Sequence, residues 1–156
     1  MKRAGILNKG LSEAIASMGH GDTLIVCDAG FPIPEEAWRI DLALIQDVPD
    51  LRTVLAVVVE EFIAEKVRIA QELKENNPPL YRNLTELFDE RNSELIPQAQ
   101  MLSEAPRQAK AIVRTGAFDP FGNVALISGV DAKTWFSKEG TVVPAYYRSR
   151  VEDADG

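Results

Sequence analysis

Cysteine and histidine are scarce in this sequence. Cys27 is the single cysteine of 156 residues, so an intrachain disulfide and a cysteine-based zinc cluster are both excluded. It lies inside an apolar run, which favours a small buried hydrophobe over a nucleophile. His20 is the only histidine. No histidine cluster exists for a metal, and any acid–base chemistry near neutral pH is constrained accordingly.

Basic residues and long apolar runs are also in short supply. Seventeen Lys and Arg against 24 Asp and Glu give a net charge of −7, which disfavours binding to phosphate backbones and to anionic membranes. No apolar run approaches the ~20 residues of a membrane span, and the N-terminus lacks the apolar core of a signal peptide. We therefore expect no nucleic-acid partner, no membrane partner and a cytoplasmic location.

Familiar catalytic motifs are missing as well. The chain contains no Gly-rich phosphate loop of the Walker or Rossmann type and no Gly-x-Ser-x-Gly elbow. Phosphoryl transfer and serine hydrolysis are therefore poorly supported.

Apolar runs predict the strands. Residues 24–27, 111–113 and 124–127 are continuous apolar segments typical of strands buried on both faces. Weak alternation over 38–45 indicates another strand. The β-branched composition of 54–59 predicts the strongest strand of all, with a helix starting nearby as the alternative.

Helical periodicity occupies most of the remaining chain. It predicts helices over 11–18, from Glu60 to the Asn76-Asn77-Pro78-Pro79 stop, over about 80–89, and over 97–108 with an interruption near Pro106. Strands with interleaved helices indicate a single α/β layered domain around a mostly parallel sheet. Ligands of such sheets bind at the carboxyl ends of the strands.

Three candidate site segments stand out. His20 lies between two glycines and could transfer a proton, although a solvated loop histidine fits the same pattern. Asp28 directly follows a predicted strand. It could orient His20 or accept hydrogen bonds from a polyol, or it could cap the next turn. Phe121-Gly122-Asn123 could present an aromatic face and an amide to a ligand, or form a simple β-turn.

Taken together, these segments resemble the D-ribose pyranase and L-fucose mutarotase family over about residues 1–130. The matching motifs, in chain order, are Gly5-Ile6-Leu7-Asn8, Met18-Gly19-His20-Gly21-Asp22, Cys27-Asp28-Ala29-Gly30-Phe31-Pro32-Ile33-Pro34, Ile40-Asp41-Leu42, Glu60-Glu61, Glu65-Lys66-Val67, Ala109-Lys110-Ala111-Ile112-Val113-Arg114-Thr115-Gly116 and Phe121-Gly122-Asn123. Each motif alone is weak, but this many in one order is fairly specific.

The resemblance implies a cofactor-free and metal-free isomerase that opens and recloses the ring of a free monosaccharide. It implies a three-layer α/β/α fold and a ring-like homo-oligomer whose active site lies between neighbouring subunits. His20 matches the catalytic histidine, Asp28 the acidic sugar-binding position and Asn123 the amide of the last motif. Gln98 and Phe121 complete the expected substrate-binding set, with Phe121 stacking on the sugar or lining the pocket.

The chain also departs from the family pattern. Phe121 stands where the family usually has Tyr, the ribose branch tends to carry a second histidine near Gln98, and Ala117 replaces a frequent Glu. These departures leave two alternatives beside a ribose pyranase: an L-fucose mutarotase-like enzyme, or a non-catalytic sugar-binding or regulatory protein of the same fold. A third is a structural ring-forming protein with partner contacts made by the tail. Residues 131–156 are expected to be a partly disordered C-terminal extension.

Overall fold

A six-stranded mixed sheet forms the centre of the protein, for which a computed structural model describes residues 1–152 apart from the side chain of Arg91. The strands are β1 Thr23–Cys27, β2 Arg39–Asp41, β3 Ala64–Ala70, β4 Ser93–Ile96, β5 Ala111–Arg114 and β6 Val124–Ser128. They lie in the order β2-β5-β1-β6-β3-β4. Only β6 runs against its neighbours among the described strands, so the expected mostly parallel sheet is confirmed.

Eight α-helices connect or flank these strands in the described part of the chain. They are α1 Lys9–Ala16, α2 Leu51–Val59, α3 Leu73–Asn76, α4 Pro78–Phe88, α5 Gln98–Ser103, α6 Ala105–Gln108, α7 Ala132–Phe136 and α8 Arg148–Glu152. Short 3₁₀ turns cover Glu90–Asn92 and Ala145–Tyr147. No helix over residues 1–152 has the length and apolar character needed to cross a membrane.

Both faces of the sheet are buried, as β1 illustrates. Leu24 and Val26 join a large core together with apolar side chains of α1, α2 and α4. Ile25 and Cys27 point the other way, into a smaller core that includes Met101 of α5. Because successive strand side chains alternate between faces, a fully apolar strand requires helices on both sides. The α/β class with helices on either face is therefore confirmed.

The segment around residues 51–70 contradicts the sequence prediction. Residues 54–59, predicted as a strand, belong to helix α2, which is the alternative that the sequence left open. Its buried side chains have the i, i+3, i+4, i+7 spacing of one helix face, and they are Leu51, Val54, Leu55 and Val58. The Asp50 side chain caps the helix by accepting from Thr53 N–H at 2.7 Å. Local β-branched composition was outweighed by packing against the sheet.

The predicted helix that starts at Glu60 is wrong for the same reason. Residues 64–70 form β3, in which Val67 and Ile69 alternate into the larger core. The charges of Glu65 and Lys66 fit the solvated face of a helix in the sequence, but both residues belong to this strand. The sequence does not predict the short strand β4. The predicted strand over 38–45 is limited to Arg39–Asp41.

The C-terminal extension contains α7, a 3₁₀ turn and α8 over its described part. Asp131 caps α7 by accepting from Thr134 N–H at 3.0 Å. Phe136 and Tyr147 bring the two ends of the extension together, with ring centroids 5.5 Å apart. Residues 153–156, which belong to the same predicted extension, lie outside the described residues, and partial disorder of the extension stays a prediction.

Candidate functional site

Asp28 and Asn123 meet at the carboxyl edge of the sheet. Asp28 follows β1, and Asn123 precedes β6, whose antiparallel direction places its first residue at this same edge. Asp28 N–H donates to Asn123 Oδ1 at 3.1 Å. The Asn123 side chain is almost fully buried, at 1% exposure. The amide and the carboxyl group are therefore held in a fixed relation.

The Asp28 carboxyl group is half-buried. Its Oδ1 accepts from Gly30 N–H at 2.8 Å, the turn cap that the sequence offered as an alternative. Burial raises the pKa of Asp28, against the opposing effect of hydrogen bonds from Gly30 and Asn123. Burial disfavours the charged form because a carboxylate loses hydration. An accessible oxygen here is suited to accepting from a ligand hydroxyl.

Arg114 stabilises the loop that contains Asp28. It ends β5, and its Nε donates to Ala29 O at 3.0 Å. Its Nη1 contacts both carboxylate oxygens of Asp41, at 3.1 and 3.2 Å. On the other side, the buried Thr115 hydroxyl donates to Cys27 O at 2.8 Å. These contacts immobilise the end of β1 and the turn that follows it.

Gln98 and Phe121 lie at the same edge but in different surroundings. Gln98 starts α5 two residues after β4, which β3 separates from β6 in the sheet. Its N–H donates to Glu72 Oε2 at 2.9 Å. Its buried Oε1 has no partner within the described residues. Phe121 has φ of +59° and its half-buried ring packs against the larger core.

His20 occupies the opposite, amino edge of the sheet. The loop that carries it is attached to the end of β6, since Gly21 N–H donates to Ser128 O at 2.8 Å. Asp22 Oδ2 accepts from Gly19 N–H and from Lys110 Nζ, at 2.8 and 2.7 Å. The glycine-flanked loop is therefore fixed by both backbone and side-chain contacts.

Glu65, and not Asp28, is the carboxylate beside His20. His20 Nε2 lies 2.9 Å from Glu65 Oε2. The His20 side chain is 46% exposed and that of Glu65 18%. Arg150 Nη1, from α8, lies 2.6 Å from the same Glu65 oxygen. The expectation that Asp28 orients His20 is therefore wrong in this chain, because the two residues lie at opposite ends of β1.

The length of β1 separates the two groups. Its five residues span about 16 Å, and the His20 loop precedes the strand while Asp28 follows it. Within one chain, the structure therefore brings Asp28 together with Asn123, and His20 together with Glu65, but it does not join the two pairs.

Glu65 and Arg150 were missed by the sequence analysis. Glu65 lies in the segment predicted as a helix, where its charge fitted a solvated face. The alternation of Val67 and Ile69 is a local signal for a strand. A strand over these residues places Glu65 near its amino end, at the edge of the sheet where the parallel strands begin. No local sequence signal links Arg150 to the loop of His20.

A groove of about 800 Å³ opens beside Glu65. One wall is the amino end of β3, another is the segment 89–92, and the third is the extension. Polar side chains on these walls include Asn92, Ser149 and Arg150, together with the Tyr146 ring. Within residues 1–152, no group of three or more His, Cys, Asp and Glu side chains is arranged to hold a metal ion.

Comparisons with known proteins separate the first 131 residues from the C-terminal extension. A sequence model described as the RbsD / FucU transport protein family matches residues 1–131. The chain belongs to this family. The extension begins where the RbsD / FucU match ends.

Curated relatives in the RbsD / FucU family extend over different lengths. "D-ribose pyranase 2" of Rubrobacter xylanophilus is 58% identical over 99% of this chain and 100% of that protein. "D-ribose pyranase 1" of Streptomyces griseus is 52% identical over 97% of this chain and all of its own length. "D-ribose pyranase" of Geobacillus thermodenitrificans is 40% identical over 131 residues, which cover 84% of this chain and 98% of the relative.

Solved structures of the RbsD / FucU family share the fold. Bacillus subtilis RbsD complexed with D-ribose has a TM-score of 0.79 and 38% identity, covering 83% of this chain and 98% of that one. The fucose mutarotase of Streptococcus pneumoniae, in complex with L-fucose, has a TM-score of 0.67 and 18% identity, covering 80% and 94%. At that identity the second likeness concerns the fold alone.

Proposed function

We propose that this protein is a D-ribose pyranase-like isomerase that interconverts the ring forms of a free aldose. The observation that carries the proposal is the pairing of the only histidine with Glu65 at 2.9 Å. Relatives called D-ribose pyranase, at 58% and 52% identity over nearly the whole chain, support the same reaction.

The reaction requires one proton to leave the anomeric hydroxyl and another to reach the ring oxygen. His20 performs one of these transfers, since an imidazole serves as either acid or base near neutrality. Glu65 holds the ring in one orientation by accepting from Nε2, which leaves Nδ1 for the sugar. Water or a second carboxylate completes the relay. A positioned group of this kind contributes about 10²–10⁴-fold.

Asp28 and Asn123 bind sugar hydroxyls in this proposal. Asn123 Oδ1 is already engaged by Asp28 N–H, so the Asn123 amide acts as a donor while the Asp28 carboxyl acts as an acceptor. Gln98 supplies a further acceptor, because a buried oxygen without a partner is costly until a ligand satisfies it. Phe121 lines this end of the site.

The site is completed by two chains. The ~16 Å between the ends of β1 exceeds the reach of a monosaccharide bound at one end. His20 and Glu65 of one subunit therefore face Asp28 and Asn123 of its neighbour. Each chain has one half of a site at the amino edge of its sheet and the other half at the carboxyl edge. Neighbouring chains therefore associate head to tail, and this arrangement closes into a ring-like homo-oligomer.

Saturation-transfer NMR of D-ribose tests the activity, by measuring exchange between pyranose and furanose signals with and without the protein. The proposal predicts faster exchange with the parent chain and its loss in His20→Gln. Faster exchange of α- and β-L-fucose instead would select the mutarotase alternative. Ribose binding without any acceleration would select the non-catalytic one, and the isomerase proposal fails if no common aldose exchanges faster.

Mixing two inactive variants tests the two-chain site. His20→Gln and Asp28→Asn, unfolded and refolded together in equal amounts, regain activity in sites that combine two intact halves. If the two variants assemble at random, about a quarter of all sites combine two intact halves. No recovery in a mixed oligomer, confirmed by mass spectrometry, would contradict the shared site but not the isomerase activity.

The proposal also includes a monosaccharide substrate and a cytoplasmic location.

A further inference from the structure

The C-terminal extension supplies a cation to the carboxylate that holds His20. Arg150 Nη1 and His20 Nε2 contact the same oxygen of Glu65, at 2.6 and 2.9 Å. Glu65 is mostly buried, with 18% of its side chain exposed. Two positively charged or donating groups therefore compete for one partly desolvated carboxylate oxygen.

Contacts within the extension hold Arg150 in this place. Its guanidinium carbon lies 5.4 Å from the centroid of the Tyr147 ring, a cation–π distance. Tyr147 in turn packs against Phe136 of α7 and against Tyr146, at centroid distances of 5.5 and 5.0 Å. Arg150 is thus fixed on one side by an aromatic cluster and on the other by Glu65.

Charged side chains near His20 and Glu65 come from several elements, and Asp89, Asp131 and Lys133 line the same groove as Glu65. Glu65 belongs to β3, Arg150 to α8, Asp22 to the His20 loop, and Lys110 precedes β5. Asp22 and Lys110 form an ion pair of 2.7 Å with each other. Among the described residues, Arg150 is the cation within 3 Å of Glu65, so it is the group that offsets this carboxylate.

We propose that Arg150 is a positioning residue for His20 and acts through Glu65. The guanidinium fixes the rotamer of Glu65 and offsets part of its negative charge. Removal of the guanidinium would leave the full charge of Glu65 facing the imidazolium form of His20. The catalytic part of this inference rests on the proposed isomerase function.

Chain length limits an extension of this size to some of these relatives. The Rubrobacter and Streptomyces proteins align over nearly all of this chain. The Geobacillus protein aligns over 131 residues and is 98% covered by them, so it is too short to hold an equivalent of the whole extension. A contact between this extension and Glu65 is therefore not available to every relative in the same form.

Imidazole titration by NMR tests the coupling directly. His20 is the only histidine, so its ring signals in the untagged full-length chain need no assignment. We expect Arg150→Ala to raise the midpoint of the titration by about 0.5–1 pH unit, the Coulomb effect of one charge at this separation. Arg150→Lys keeps the charge and restores most of the parent value. The acidic limb of the pH–rate profile moves in the same direction.

Arg148 provides a matched control two residues earlier on the same helix. It is exposed and forms no ion pair within residues 1–152. The inference is overturned if Arg150→Ala leaves the midpoint unchanged, or if Arg148→Ala moves it equally. Arg150→Gln carries the same prediction should the alanine variant lose helix by circular dichroism.

The titration also separates this inference from the proposed function. It needs no substrate, so it measures the coupling even when the parent accelerates no sugar exchange. A shifted midpoint with no activity in the parent would overturn the catalytic role of Arg150 together with the isomerase proposal. A fixed midpoint in an active enzyme would overturn the role of Arg150 alone.

Discussion

His20 and Glu65 are 45 positions apart in the chain, yet His20 Nε2 lies 2.9 Å from Glu65 Oε2. The end of β6 brings them together. Ser128 bonds to the backbone of the His20 loop on one side, and Gly129 N–H donates to Ile63 O just before β3 on the other. The loop and the start of β3 are therefore attached to two adjacent residues, Ser128 and Gly129, which places the imidazole beside the carboxylate.

Glu65→Gln should slow sugar ring exchange about 10–100-fold with little change in KM, because the amide holds the imidazole without stabilising its charged form. Exchange NMR at several ribose concentrations provides both parameters. Glu60→Gln, at an exposed position after α2, is the control and should retain the parent rate. A Glu65→Gln variant as fast as the parent would show that the pairing has no part in catalysis.

Lys110→Met should loosen the His20 loop. Lys110 Nζ donates to Ser17 O at 2.6 Å and to Asp22 Oδ2 at 2.7 Å, and the latter contact lowers the pKa of Asp22. We expect about a 3–10-fold lower rate, since small misplacements of a catalytic group are costly. Backbone amides of residues 19–22 should exchange faster with solvent. Unchanged amide exchange, or an equal effect from the exposed Lys9→Met, would contradict this role.

Asp28→Asn should abolish tight sugar binding while stabilising the fold. Burial raises the pKa of Asp28, so folding favours its protonated form. The parent therefore loses stability as the pH rises from the ordinary carboxyl range through the raised value. The amide retains the acceptor for Gly30 N–H and has no charge to desolvate.

Urea unfolding at several pH values measures this effect. The stability of Asp28→Asn relative to the parent should grow as the pH rises from about 4 through the raised pKa of Asp28 and then stay constant. Glu35→Gln, exposed and close in sequence, should show no such trend. A variant that is less stable than the parent at neutral pH would refute the prediction.

Cys27 should be inert towards thiol reagents in the folded protein. It is fully buried, its Sγ lies 3.4 Å from Val113 O, and burial strongly raises its pKa. Both the absence of access and the scarcity of thiolate slow the reaction. A colorimetric thiol assay should detect one group per chain only after denaturation. Modification of the native protein at the rate of a free thiol would contradict the buried environment.

Several parts of the fold follow from local sequence alone. The apolar runs at 24–27, 111–113 and 124–127 correspond to β1, β5 and β6, and the helix predicted over about 80–89 corresponds to α4. The exchange of helix and strand between residues 51 and 70 did not follow, because α2 packs a β-branched face on the sheet while β3 has a charged exposed side. Such choices depend on what each face contacts, and a local pattern does not contain that information.

The sequence by itself determined the α/β class, the glycine-flanked His20, the strand-end Asp28 and the family motifs, since each depends on neighbouring residues. The tertiary structure decided that Asn123 reaches Asp28, because β6 runs antiparallel and begins at the carboxyl edge. It also decided that Glu65 contacts His20 and that Arg150 contacts Glu65. Contacts between residues so distant in sequence follow from strand order and direction, which local hydrophobic patterns leave open.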